Sequence, residues 1–108
     1  IISGGVNIYP AEIEGVLGGH PEVKDVAVIG VPDEEFGEQV KAIVVSGVNE
    51  NARDSLAKEL ITYCRENLAG YKSPKSIDFL DELPRTGTGK IQKQPLREPY
   101  WKEEDRRI

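Results

Sequence analysis

The stretch Val23–Val31, VKDVAVIGV, constrains the fold more than any other part of the chain. Val26, Ala27, Val28 and Ile29 are apolar in succession, so both faces of an extended segment need cover. Such a run predicts a central strand buried on both sides. A second β-branched run, Gln39–Ser46 (QVKAIVVS), follows the loop Pro32–Glu38. So short a connection makes an antiparallel pair natural. Four of the seven loop residues are acidic. They lack the spacing of an EF-hand, which favours a solvated loop over a metal site.

The rest of the chain must supply the cover. Pro10 suits the first position of a helix, and Glu12 and Glu14 suit its electropositive first turn. Ile13, Val16 and Leu17 share one face, and Gly18-Gly19 end the pattern. Glu12 and Glu14 are two apart, so they point away from each other, and a solvated face is expected rather than a catalytic acid pair. From Arg53 to Asn67 a second helix carries the stripe Leu56, Leu60, Ile61, Cys64 and Leu68. Asn51 is placed to cap it. Ser76–Leu80 reads as a third strand, expected beside the first after a right-handed crossover. Ile1–Asn7 suggests a small hairpin around Ser3-Gly4-Gly5, and the bland alternative is a tight turn. A short helical turn is expected near Ile91–Leu96, with Tyr100 and Trp101 packing back and a mobile tail from Lys102 onward. These elements predict an α+β fold: a small three-stranded sheet flanked by helices, with an N-terminal hairpin, forming one domain over residues 1–108.

Composition closes off several classes of function. A net charge of −5 argues against a general affinity for nucleic acid. The lone Cys64 cannot form an internal disulfide, so no oxidising compartment is implied and a cytoplasmic setting is expected. On its apolar stripe Cys64 reads as a buried, inert thiol. His20, the only histidine, has no partner at metal-ligand spacing and reads as structural. No apolar run approaches the length of a bilayer span. The chain has no methionine and starts at Ile1, so a piece of a longer protein is expected.

The chemistry is concentrated in Asp81–Lys93, DELPRTGTGKIQK. Pro84 stiffens the entry, Gly87 and Gly89 alternate with Thr86 and Thr88, and Lys90 stands at the end. Composition alone favours an exposed surface lysine. A phosphate-cradling P-loop is rejected. Pro84-Arg85 stand where its leading glycine belongs, and Ile91, not Ser or Thr, follows the lysine. The third reading is a mobile catalytic lysine, a compact charge able to neutralise a transferring phosphoryl group.

Two stretches together, SGGVNIYPAEIE (Ser3–Glu14) and ELPRTGTGKIQK (Glu82–Lys93), resemble the C-terminal domain of the adenylate-forming enzymes. These are the acyl-CoA synthetases, the adenylation domains of peptide synthetases and the luciferases. HPEVKDVAVIGVPDEEFGE (His20–Glu38) and LAGYKSPKSIDFLDELP (Leu68–Pro84) fit in the same order, so the resemblance covers nearly the whole chain. It implies a two-step reaction. A carboxylate attacks the α-phosphorus of ATP to give acyl-adenylate and pyrophosphate, and a thiol, usually of coenzyme A, then takes the acyl group and releases AMP. The domain would be a lid on a larger N-terminal domain that binds ATP, with its Mg, and the acid. Lys90 matches the family's catalytic lysine. Gly4, Gly5 and Val6 match the loop that borders the coenzyme A route. Ser73, Pro74 and Lys75 match the segment near its nucleotide end. Asn7 stands where some relatives carry arginine, so no nucleotide contact is carried over there. TGKIQK leans towards coenzyme A ligases rather than peptide synthetases, and Pro99-Tyr100-Trp101 resembles bacterial fatty-acid ligases. The isolated fragment is expected to be inactive. An adenylation domain loading a carrier protein, and a non-catalytic α/β interaction module, remain as alternatives.

Overall fold

A computed structural model of the chain describes residues 1–106, and the side chains of residues 1–102. Its centre is the expected strand pair. β3 (Val23–Asp33) and β4 (Gly37–Ser46) run antiparallel from Asp33↔Gly37 to Val23↔Ser46, with a register shift between Val23 and Asp25. The turn is tighter than the sequence suggests. One carboxylate oxygen of Asp33 accepts the N–H groups of Glu35 and Phe36, both at 2.9 Å, and Gly37 takes φ +85°. An aspartate that satisfies two turn donors, followed by a glycine in the left-handed region, lets the strands continue into the expected loop.

The sheet has five strands rather than three. The N-terminal hairpin, β1 (Ile2–Ser3) and β2 (Val6–Asn7), joins it through Ser3↔Gly37. Gly4 and Gly5 hold φ +58° and +84°. Positive φ at both loop residues is what a two-residue type I′ turn demands. β5 (Ser76–Phe79) pairs parallel with β4, from Lys41↔Ser76 to Val44↔Phe79, and not with β3 as expected. One edge of β4 therefore carries β3 and the other carries β1 and β5, which makes β4 the central strand.

β3, expected to be central, is an edge strand whose apolar run is protected by other means. Both of its faces are covered, and three of its outward backbone groups are capped by side chains. Asp25 accepts the Val26 N–H at 3.0 Å, and Glu14 accepts the Val28 N–H at 2.9 Å. The Trp101 indole donates to the Gly30 carbonyl at 3.0 Å. Pro32, next in this every-second-residue series, has no N–H to offer. Side-chain caps and proline are recognised ways to blunt a sheet edge. Glu14 also pairs with Lys93 at 3.0 Å, so it does not lie on the solvated face expected for it.

Two apolar clusters flank the sheet. Val26 and Val28 of β3, with Val40, Ala42 and Val44 of β4, face α1 (Pro10–Gly18) and α2 (Arg53–Asn67). Ile13 and Leu17 come from α1, and Leu56, Leu60 and Cys64 from α2. The spacings are those that put apolar side chains on one helical face. Asn51 does not cap α2. It lies in a 3-10 turn, Glu50–Ala52, and the helix begins without a side-chain cap. On the other face Ala27, Ile29, Val31 and Ile43 pack with Leu83 and Leu96, and Ile91 and Tyr100 lie against them. Leu96 and Tyr100 belong to α3 (Gln94–Arg106), which is far longer than the single turn expected and draws the expected tail into helix as far as Arg106. Residues 107 and 108 of that tail lie outside the described residues.

Candidate functional site

The lysine loop is a second small hairpin. Arg85 and Ile91 form an antiparallel bridge that closes it. Inside, the Thr86 N–H donates to the Lys90 carbonyl at 2.8 Å and the Gly89 N–H to the Thr86 carbonyl at 2.9 Å. The Lys90 N–H reaches the Thr86 hydroxyl at 3.3 Å, and the Thr86 and Thr88 hydroxyls share a hydrogen bond of 2.8 Å. Gly89 sits at φ +88°. Ile91 anchors the base of the hairpin in the apolar cluster below α3. Arg85, which no sequence pattern singles out, donates to the Gly89 carbonyl at 2.7 Å and pairs with Asp25 on β3. Lys90 itself is exposed, and among the described residues no carboxylate lies within ion-pair distance of its ammonium.

The other candidate residues gather at the opposite end of β3. The Gly4 N–H donates to the Phe36 carbonyl at 2.9 Å. A Cβ at Gly4 would stand 3.2 Å from the Phe36 ring, whereas at Gly5 it would meet nothing within 4 Å. The Lys75 ammonium lies 4.4 Å from the centre of the same ring and 3.7 Å from the Asp33 carboxylate. Phe36 thus joins the glycine turn to Lys75. Its place was hidden in the sequence, because a phenylalanine amid acids reads as loop. It remains 39% exposed, and Val6 is exposed beside the turn. Hydrogen bonds from the Phe36 and Glu35 N–H groups and the charge of Lys75 outweigh desolvation and hold the Asp33 carboxyl below the usual range.

Ser73 and Pro74 do not share this exposure. The Ser73 hydroxyl donates to the Ile61 carbonyl at 3.4 Å and the residue is 6% exposed, while Pro74 is fully buried. Their side chains fix the approach to Lys75, whose own N–H is held by the Val40 carbonyl at 2.9 Å.

The two hairpins are set apart by the strand that carries them. Eight residues separate Asp25, beside the lysine hairpin, from Asp33, beside the glycine turn. At about 3.3 Å per residue that is roughly 26 Å.

The groups read as structural behave so. His20 accepts the Glu22 N–H at its Nδ1 and contacts Glu59 through Nε2 at 2.9 Å, with the Tyr63 ring edge-on to it. Cys64 is wholly buried, and desolvation pushes its thiol up to about 11, far from a nucleophile's range. Among the described residues no group of His, Cys, Asp and Glu could hold a metal ion, and no helix is long and apolar enough to cross a membrane.

Known proteins share this fold. The model of the AMP-binding enzyme C-terminal domain matches residues 12–90, from the first turn of α1 to Lys90. A long-chain-fatty-acid–CoA ligase of Mycobacterium tuberculosis is 52% identical over 100 residues, which is 93% of this chain and 19% of that protein. A feruloyl-CoA synthase of an Amycolatopsis species is 51% identical over 100 residues, 93% of this chain and 20% of that protein. The solved fatty acyl CoA synthetase of Mycobacterium tuberculosis superposes with a TM-score of 0.82 at 49% identity, over 95% of this chain and 20% of that one. The chain spans about a fifth of the length of the relatives it matches. It belongs to the family of AMP-binding enzyme C-terminal domains.

Proposed function

We propose that the chain is the C-terminal lid of an ATP-dependent acid–thiol ligase, in which Lys90 serves the first of two steps and the glycine turn the second. In the first step a carboxylate oxygen bonds to the α-phosphorus of ATP, the bond to the bridging oxygen breaks, and pyrophosphate leaves. Two anions must approach each other. An ammonium placed between them in a water-poor site lowers that repulsion, an effect that grows as the local dielectric falls. In the second step a thiol sulfur, usually that of coenzyme A, bonds to the acyl carbon and AMP leaves. The larger N-terminal domain of the same enzyme would bind ATP, with its Mg, and the acid. A fatty acid fits one relative's name and an aromatic acid the other's, so the substrate is proposed no more narrowly than as a carboxylic acid.

Near the glycine turn the residues suit a slender, phosphate-bearing thiol. Gly5 leaves open space that a side chain would fill, Val6 and Phe36 offer apolar surface, and Lys75 offers positive charge. Ser73 and Pro74 contribute by holding Lys75 in place.

The observation that carries the reading is the state of Lys90. It stands without an ion-pair partner among the described residues, at the end of a hairpin braced by hydrogen bonds to Thr86. Lys24 and Lys58 are likewise without an ion-pair partner among the described residues, so what supports the reading is the place of Lys90, directly after the positive-φ Gly89 in a braced hairpin. The test is Lys90→Ala in the intact ligase. Acyl-adenylate formation should fall by about 10²–10³-fold, the scale of losing one preorganised charge-stabilising group. Thioester formation from pre-made acyl-adenylate should persist. Undiminished adenylation would refute the assignment.

A further inference from the structure

We propose that Arg85 and Asp25 form a positioning pair that fixes the backbone from which the Lys90 side chain springs, an inference that rests on the adenylation role of Lys90. Arg85 opens the hairpin and its guanidinium forks. One nitrogen donates to the carbonyl of Gly89, the peptide group directly before Lys90, at 2.7 Å, and another meets the Asp25 carboxylate. Asp25 is itself held in place. Its other oxygen accepts the Val26 N–H at 3.0 Å, next to the register shift at the start of β3. A continuous chain of polar contacts therefore runs from the edge of the sheet to the peptide bond that aims the lysine.

The pair is not needed to hold the fold. Arg85 is 43% exposed at its side chain and Asp25 is 29% exposed, and exposed ion pairs contribute little net stability. Ile91 and Leu83 already anchor the two strands of the hairpin in the core. What the fork adds is direction. A planar guanidinium with several fixed donors can hold two acceptors at once, and lysine, a single flexible point charge, cannot. Without the fork, the Thr88–Lys90 side of the turn keeps only its ties to Thr86. Gly89, already in the left-handed region, offers little resistance to rotation. The peptide that carries Lys90 would then be less firmly placed, and the reacting ammonium with it.

The experiment compares Arg85→Ala, Arg85→Lys and Asp25→Asn with Lys90→Ala in the intact ligase, and measures the two half-reactions separately. Arg85→Ala and Arg85→Lys should each lower the kcat of adenylation by roughly 10–100-fold, the scale at which small misplacements act. KM for ATP and acid should stay within about twofold, as for groups that act only in the transition state. Asp25→Asn should give a smaller loss, because the bond to Gly89 survives. Thioester formation from pre-made acyl-adenylate, and the melting temperature, should be unchanged. Full adenylation by Arg85→Ala, full rescue by Arg85→Lys, or a loss shared equally by both half-reactions would overturn the positioning role. If Lys90→Ala itself adenylates normally, the prior assignment of Lys90 fails instead, so the two failures are distinguishable.

Discussion

Gly5→Leu separates obstruction of a ligand route from damage to the fold. Gly5 holds φ +84°, a conformation that costs a residue with a Cβ about 1–2 kcal/mol. The Cβ itself adds no clash, because it meets nothing within 4 Å. The penalty of the Cβ is therefore backbone strain alone. For a domain near this size it should appear as a melting temperature lower by roughly 5–15 °C in the 108-residue chain. Gly5→Ala carries the same strain with a single added carbon and should melt alike. In the intact ligase, Gly5→Leu should slow acyl transfer from pre-made acyl-adenylate to coenzyme A by about tenfold or more, while adenylation stays near the parent rate. Gly5→Ala should transfer far better than Gly5→Leu. Parent-like transfer by Gly5→Leu, with the expected fall in melting temperature, would refute the reasoning that this turn borders the thiol's route. A much larger fall would show that the space above Gly5 is not open.

Two further outcomes follow from the packing. Burial pushes the Asp78 carboxyl upward, but hydrogen bonds from Tyr100 and Lys41 outweigh it and leave it below the usual range. A depressed carboxylate contributes stability above its unfolded value, near 3.9, and loses it as pH falls through the folded value. Asp78→Asn should thus lower the denaturant midpoint near neutrality, with the gap closing as acid protonates the folded carboxylate; a gap that does not shrink in acid would exclude the ionised carboxylate as the source. Trp101→Phe removes the cap on the buried Gly30 carbonyl and should cost about 1–3 kcal/mol in denaturant titration, the range for a buried polar group left unpaired. No measurable change would show that the edge needs no indole.

The fold was legible wherever one segment's periodicity decides its own state. The strand pair, the stripe on α2 and the burial of Cys64 follow from local spacing alone. What failed were statements about neighbours. An apolar run on both faces indicates cover on both faces, and β3 has that, yet it does not indicate pairing on both edges. Pro32 was the available sign, since a proline in such a run points to an edge. The neighbour of β5 is not legible because a crossover rule fixes handedness and not which strand edge is free. The length of α3 is hidden because Pro99 in its interior and the run of charged residues from Lys102 argue against a long packed helix. Tertiary anchors override them: Leu96 in the core, Tyr100 on Asp78 and Trp101 on Gly30.

The candidate site shows the same division. Lys90, Gly4 and Gly5 stood out through the resemblance of two stretches to a known family, since spacing alone favoured a surface lysine and a tight turn. Phe36, Asp25 and Arg85 did not, because their importance lies in partners remote in the chain; Arg85 and Asp25 are 60 residues apart. That pairing also changes how the lysine turn works. Alternating glycines suggest a pliable loop, yet only Gly89 uses the conformational freedom of glycine, and the turn is cross-braced from Thr86 to Lys90. Both hairpins are attached to the central strand pair, one by Arg85 to β3 and the other by Ser3 to β4. Neither can swing far alone without breaking those attachments. The family resemblance implies a lid that rotates as a whole between the two steps, and these attachments are compatible with both hairpins moving as one body with the sheet.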